Sequence, residues 1–103
     1  MWAQLMKIRV KPDKEPDLAG VFKQLQALEQ PGSGLLRTMT MRDQSDPSQV
    51  YVLVVFESEE KARAREQDPR RQEGLKPVQA ALAEILDGPR EFVVLTVVQD
   101  VSA

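Results

Sequence analysis

The chain has 103 residues, a formal net charge of −2, 42% apolar and 29% charged residues, no cysteine and no histidine. That length suits one domain, which at this size buries roughly 60–70% of its unfolded surface, and the balanced charge lacks the basic face of a nucleic-acid binder. The missing residue types exclude disulfides, thiolate nucleophiles, Cys- or His-ligated metals and a Ser-His-Asp triad.

Residues 2–11 alternate as a strand. Trp2, Gln4, Met6, Ile8 and Val10 share one face, while Ala3, Leu5, Lys7, Arg9 and Lys11 share the other. Pro12 ends the ladder, since it has no N–H to donate. A helix is expected over 15–30. Asp13 or Glu15 can cap it, Pro16 fits its first turn and Asp17 suits the positive end of its dipole. Leu18, Val21, Phe22, Leu25 and Leu28 form its apolar stripe. Pro31 to Gly34 stops it.

A second strand spans 35–42, with Leu35, Arg37, Met39 and Met41 on one face. The polar cluster from Asp43 to Ser48 turns the chain into a third strand over 50–56, so the two form an antiparallel hairpin. Ser58 caps a charged helix over 59–67, with Glu59 and Glu60 in its first turn. Asp68-Pro69 starts another over 69–73. Gly74 and Lys76-Pro77 interrupt it, and a last helix covers 77–86 with Val78, Leu82, Ile85 and Leu86 as its stripe. Arg63, Arg65, Arg70 and Arg71 stand among acids and are expected to form a solvated face. Asp87-Gly88-Pro89 leads into a final strand over 91–98.

This order points to an α+β, ferredoxin-like βαββαβ domain over 1–103, with helices on one side of a four-stranded antiparallel sheet. The sheet's other side should then turn polar where it meets water. It does not. Tyr51, Leu53 and Val55 oppose Val50, Val52, Val54 and Phe56, and Val93, Leu95 and Val97 oppose Phe92, Val94, Thr96 and Val98. An exposed apolar face of that extent needs a cover. A second copy of the chain is the expected one, with Leu5, Tyr51, Leu53, Val55, Val93, Leu95 and Val97 at the interface.

The run Val54-Val55-Phe56-Glu57-Ser58-Glu59-Glu60-Lys61-Ala62, the Asp68-Pro69 turn and the Asp87-Gly88-Pro89 stop before an apolar strand resemble antibiotic-biosynthesis-monooxygenase-like domains. The resemblance implies a dimeric α/β barrel, in which two such sheets meet. Some members of that family oxidise phenolic or quinol-type substrates with O₂ and no cofactor, others bind and degrade haem, and many have no known activity. Haem-degrading members carry an Asn at the position of Met6, a Trp at the position of Phe56 and a His on a later helix. This chain has none of the three, so haem degradation is not expected.

Gln4, Met6, Phe22, Phe56 and Leu75 are candidates for lining a substrate pocket, with Gln4 as its polar anchor and Arg37 as a partner for an anionic substrate. The more ordinary reading makes these core residues, with Arg37 reaching solvent. Tyr51 can donate a hydrogen bond from the dimer side. Two functional readings stand: a cofactor-independent monooxygenase of a small aromatic or quinol-type molecule, and a non-catalytic dimer that binds a small ligand. No cofactor, metal, nucleic acid or membrane partner is expected. Met1 to Gln4 lacks the basic start of a signal peptide and no apolar run spans a bilayer, so a cytoplasmic location is expected.

Overall fold

The structure, a computed structural model, describes residues 1–103. Four strands form one antiparallel sheet: β1 (Trp2–Arg9), β2 (Leu35–Arg42), β3 (Gln49–Phe56) and β4 (Glu91–Thr96). Their spatial order is β2-β3-β1-β4. The helices are α1 (Leu18–Ala27), α2 (Glu59–Glu66) and α3 (Pro69–Ile85). This is the α+β ferredoxin-like fold, with β1 and β3 central and helices packed on one sheet face.

Local chemistry accounts for most of the element ends. The Ser58 hydroxyl accepts from the Lys61 amide at 3.2 Å and caps α2. The Asp68 carboxylate accepts from the Arg70 amide at 2.9 Å, and Pro69 fills the first turn of α3. The Gly34 carbonyl accepts from the Glu57 amide at 2.9 Å, which ties the entry of β2 to the exit of β3.

Several expected boundaries are corrected. The segment 15–30 divides into a 3₁₀ turn over Glu15–Asp17 and a shorter α1. The first strand stops at Arg9, and Val10 makes only an isolated bridge to Leu86. The last strand ends at Thr96 rather than 98. The expected helices 69–73 and 77–86 are one helix that runs through Gly74 and Pro77. Pro77 forfeits one backbone hydrogen bond, but Val78, Leu82 and Ile85 are buried in the core and hold the helix on the sheet. Gly74 is a contact point and not a stop: a Cβ there would lie 2.5 Å from Leu28 Cδ2.

The main core joins Ile8 and Val10 from β1 and its end, Val50 and Val52 from β3, Leu18 and Val21 from α1, and the α3 stripe. A smaller cluster packs Trp2 and Phe56 under Ala62 of α2, with ring centroids 6.0 Å apart. The expectation of a solvated arginine face is also corrected. Arg65 and Arg71 are mostly buried, with side chains 16% and 12% exposed. Because α2 offers almost no apolar surface, it docks through its arginine stems and heads. Arg63 lies 5.3 Å from the Trp2 ring centre and Arg65 lies 5.1 Å from that of Phe56.

Only 14 of the 103 residues are buried, because the sheet's second face has no helix on it. Leu5, Tyr51, Leu53 and Val55 are half-buried there by their own neighbours. Met39, Met41, Val93 and Leu95 stand 37–38% exposed on the same side. Val97 lies just past β4, half-buried, and its amide donates to the Met1 carbonyl at 3.3 Å.

Candidate functional site

The register of β1 against β4 builds a strip on the helix side of the sheet. Met6 lies opposite Phe92 and Gln4 opposite Val94. The same alternation places all four on the face that carries the helices. Yet Phe92 and Val94 remain 51% and 52% exposed, because the helices reach over β1 and β3 but not over this edge strand. Met6 is half-buried against the main core. The Gln4 side-chain amide is half-buried and makes no hydrogen bond within the protein. The result is an apolar strip with one uncommitted donor–acceptor group. Small-molecule sites are commonly built this way.

Arg90 borders this strip. Its guanidinium carbon stands 5.6 Å from the centre of the Phe92 ring. Arg90 also lines a cleft of about 340 Å³ between the end of α3 and the start of β4, with Leu82, Leu86 and Pro89. A cation beside an exposed aromatic ring and a free amide can hold an electron-rich aromatic molecule and favour its anion.

The other expected pocket residues are dispersed. Phe56 is sealed between Trp2 and Ala62. Phe22 packs against the main core from α1, and Leu75 is half-buried on α3. Arg37 lies on the opposite face of the sheet. A β-bulge between Leu35 and Arg37 shifts the register, so that Leu35 pairs with Phe56 while Arg37 pairs with Val55. One extra residue in a strand reverses the facing of everything beyond it. Arg37 therefore joins Met39 and Met41 on the open face and is separated from Gln4 by the thickness of the sheet.

Tyr51 is also on the open face, and its hydroxyl donates to Asp43 Oδ2 at 3.0 Å. That hydrogen bond to a carboxylate holds the phenol above its ordinary pKa. Asp43 in turn is held below the usual carboxylate range, first by the Ser45 amide and then by Tyr51. Tyr51 is thus a neutral hydrogen-bond donor and a weaker acid than an ordinary phenol.

Strand periodicity alone does not single out Phe92, Val94 or Arg90. Their part in the strip depends on the β1–β4 register and on where the helices stop, and neither is a local property of the sequence.

A family model described as antibiotic biosynthesis monooxygenase matches residues 1–77. No curated protein matches the sequence significantly. Among solved structures, the chain is similar to SnoaB, a cofactor-independent oxygenase from Streptomyces nogalater, crystallised in a mutant form. The TM-score is 0.77 at 18% identity, covering 99% of this chain and 97% of that one. A protein from Mycobacterium tuberculosis matches with a TM-score of 0.73 at 14% identity, over 98% of each chain. A conserved protein from Methanosarcina mazei matches with a TM-score of 0.73 at 19% identity, over 91% of this chain and 89% of that one. At such identities the likeness is one of fold. The family match is broader evidence, and the chain belongs to the antibiotic biosynthesis monooxygenase family.

Proposed function

We propose, from that membership, that this protein is a cofactor-independent monooxygenase of a small, electron-rich aromatic or quinol-type molecule, working as a homodimer. The observation that carries the reading is the helix-side strip of Gln4, Met6, Phe92 and Val94, apolar and uncovered, with a side-chain amide that has no partner in the protein. The name of SnoaB supports the same chemistry on this fold.

The reaction needs no redox group from the protein. A phenol that becomes a para-quinone loses two hydrogens. One oxygen atom of O₂ forms the new carbonyl and the other leaves as water, so the substrate supplies all four electrons. The protein's share is to desolvate the ring, to orient it and to stabilise its phenolate form. The Gln4 N–H donates to the phenolate oxygen, the Phe92 ring and Met6 flank the aromatic body, and Arg90 supplies positive charge at the rim. Arg37, on the other sheet face, takes no part.

The dimer reading rests on the open face. Leu5, Leu53, Val55, Val93 and Leu95 lie on neighbouring strands there, and none of the helices packs over them. No helix is long and apolar enough to cross a membrane, and the cytoplasm remains the proposed location.

One observation favours a second reading, a non-catalytic binding module: Gln4 is the only polar side chain on the strip, and the chain has no histidine to act as a base. The deciding experiment follows O₂ uptake and quinone absorbance with a panel of phenols and quinols. Protein-dependent uptake with product formation supports the oxygenase. A phenol that binds, shifts the melting temperature and is recovered unchanged supports the binding module.

A further inference from the structure

Away from the strip, the loop after α1 faces the junction of α2 and α3 across a cleft of about 220 Å³. Lys61, Arg65, Arg70 and Arg71 line it, against only two acids, Glu29 and Asp68. The acids are already engaged. Glu29 accepts from Arg65 through both carboxylate oxygens, at 2.6–3.2 Å. Asp68 caps α3 and accepts from Arg70 at 2.9 Å. Lys61 is paired with Glu57 outside the cleft.

Arg71 is the residue left over. Its Nη1 is 3.9 Å from Glu29 Oε1, beyond hydrogen-bond range. That nitrogen is buried and has no hydrogen-bond partner in the protein. Two guanidinium groups thus share one carboxylate, and the second keeps an unmatched N–H, its charge facing Glu29 only at 3.9 Å. A buried donor without an acceptor costs about 1–3 kcal/mol, and more when it is charged. An arginine that packing alone required would be expected to find its acceptor. Arg71 lines the cleft, so its guanidinium has only to turn toward the opening for that donor to meet a ligand there.

We propose that this cleft is a binding site for a phosphate group, free or carried on an organic molecule, with Arg71 as its principal ligand. Arg65 is oriented by Glu29 and cannot turn away, while Arg70 and Lys61 stand at the mouth. A guanidinium fork matches two phosphate oxygens, and a phosphate has further oxygens to offer Arg70 and Lys61 at the mouth, which a carboxylate lacks. The cleft holds more than a bare phosphate, which leaves room for an organic substituent. The site lies among the helices, distinct from the strip on β1 and β4, and stands whether or not the oxygenase reading does.

The test is calorimetric titration of the purified protein with inorganic phosphate and with glycerol phosphate, at ionic strength matched with chloride, together with mapping of backbone amide shifts. Saturable binding is expected, with shifts confined to residues 29–33 and 61–71. Arg71→Met keeps the apolar stem and should weaken binding about tenfold or more. Arg63→Met, beside Trp2 and outside the cleft, should leave it unchanged. If Arg71→Met unfolds, Arg70→Gln at the exposed rim is expected to weaken binding about threefold, and the shift map on the unmodified protein stands alone. Tighter binding of glycerol phosphate assigns an organic phosphate, and equal or weaker binding assigns free phosphate. The proposal is overturned by absence of saturation, by shifts scattered over the surface, by an equal loss in Arg63→Met, or by acetate binding as tightly as phosphate.

Discussion

Arg65 holds both carboxylate oxygens of Glu29, with Nε 2.9 Å from Oε2 and Nη2 2.6 Å from Oε1. The pair joins the segment just after α1 to α2. With side chains only 16% and 23% exposed, it is shielded from the screening that makes surface pairs weak. Glu29→Ala removes the carboxylate and leaves Arg65 and Arg71 facing each other, both mostly out of water. A loss of about 1–3 kcal/mol in urea unfolding is expected. An unchanged midpoint would mean that water serves the two guanidiniums as well as Glu29 does.

The same pair sets a pH dependence. Burial pushes the Glu29 carboxyl up, but the hydrogen bonds and charge of Arg65, with smaller help from Ser33 and Arg71, outweigh it and leave it below its ordinary value of 4.5. A depressed carboxyl contributes stability that is complete above the unfolded value and is lost as pH falls through the folded one. The stability difference between the natural protein and Glu29→Gln should therefore be constant near neutrality and shrink below about pH 4.5. A difference that stays constant down to pH 2 would remove Glu29 from the acid limb.

Two glycines should respond in opposite directions. Gly34 has φ of 86°, and a Cβ there would meet Lys61 Cβ and Cδ at 2.7 Å. Gly34→Ala should destabilise by about 1–2 kcal/mol from the backbone alone, and further because Lys61 must move. Gly20 lies inside α1 with ordinary φ and nothing within 4 Å of a new Cβ. Gly20→Ala should stabilise by about 0.8–1 kcal/mol through helix propensity. Thermal unfolding of the two variants checks both signs at once.

The parts of the fold that follow from local periodicity are legible in the sequence. The alternation of β1 and β3, the stripe of α1 and the caps at Ser58 and Asp68 each announce their element. Arg37 shows where periodicity fails, since a single bulge at the start of β2 turns it to the opposite face, and nothing in Leu35-Leu36-Arg37 signals an extra residue. Gly74 and Pro77 look like breaks, but the burial of Val78, Leu82 and Ile85 outweighs one lost backbone bond. Arg65 and Arg71 look solvated because their acids are near in sequence, whereas their partner Glu29 comes from another helix end. The strip around Phe92 is invisible for a similar reason: its neighbours Gln4 and Met6 lie at the far end of the chain.

The open sheet face makes a direct prediction about assembly. Leu53 sits at its centre, opposite Leu5 on β1 and Met39 on β2. Leu53→Arg places a charge where the second copy would pack, and desolvating it without a partner costs several kcal/mol per ion. Sedimentation at micromolar concentration should give a dimer for the natural protein and a monomer for the variant. The monomer should also melt at a lower temperature, because so few residues are buried without the partner. A natural protein that sediments as a monomer would leave the apolar face unexplained by self-association and point to a different cover.

Gln4 and Phe92 should separate binding from chemistry on the strip. Gln4→Leu keeps similar bulk on β1 and removes only the amide, so the sheet should be undisturbed. If the Gln4 N–H stabilises the phenolate as the ring becomes reactive toward O₂, the variant should lose about 100-fold in kcat with a smaller change in KM, as for a lost oxyanion donor. Phe92 is half exposed in the isolated chain, so Phe92→Ala should cost that chain little stability. It should instead raise KM several-fold while kcat holds, since an aromatic wall contributes equally to the bound substrate and to its transition state. Both effects need a substrate first identified by O₂ uptake on the natural protein. If Gln4→Leu oxidises that substrate at the natural rate, the amide is not the phenolate anchor. If Phe92→Ala also leaves KM unchanged, the reaction takes place elsewhere on the fold.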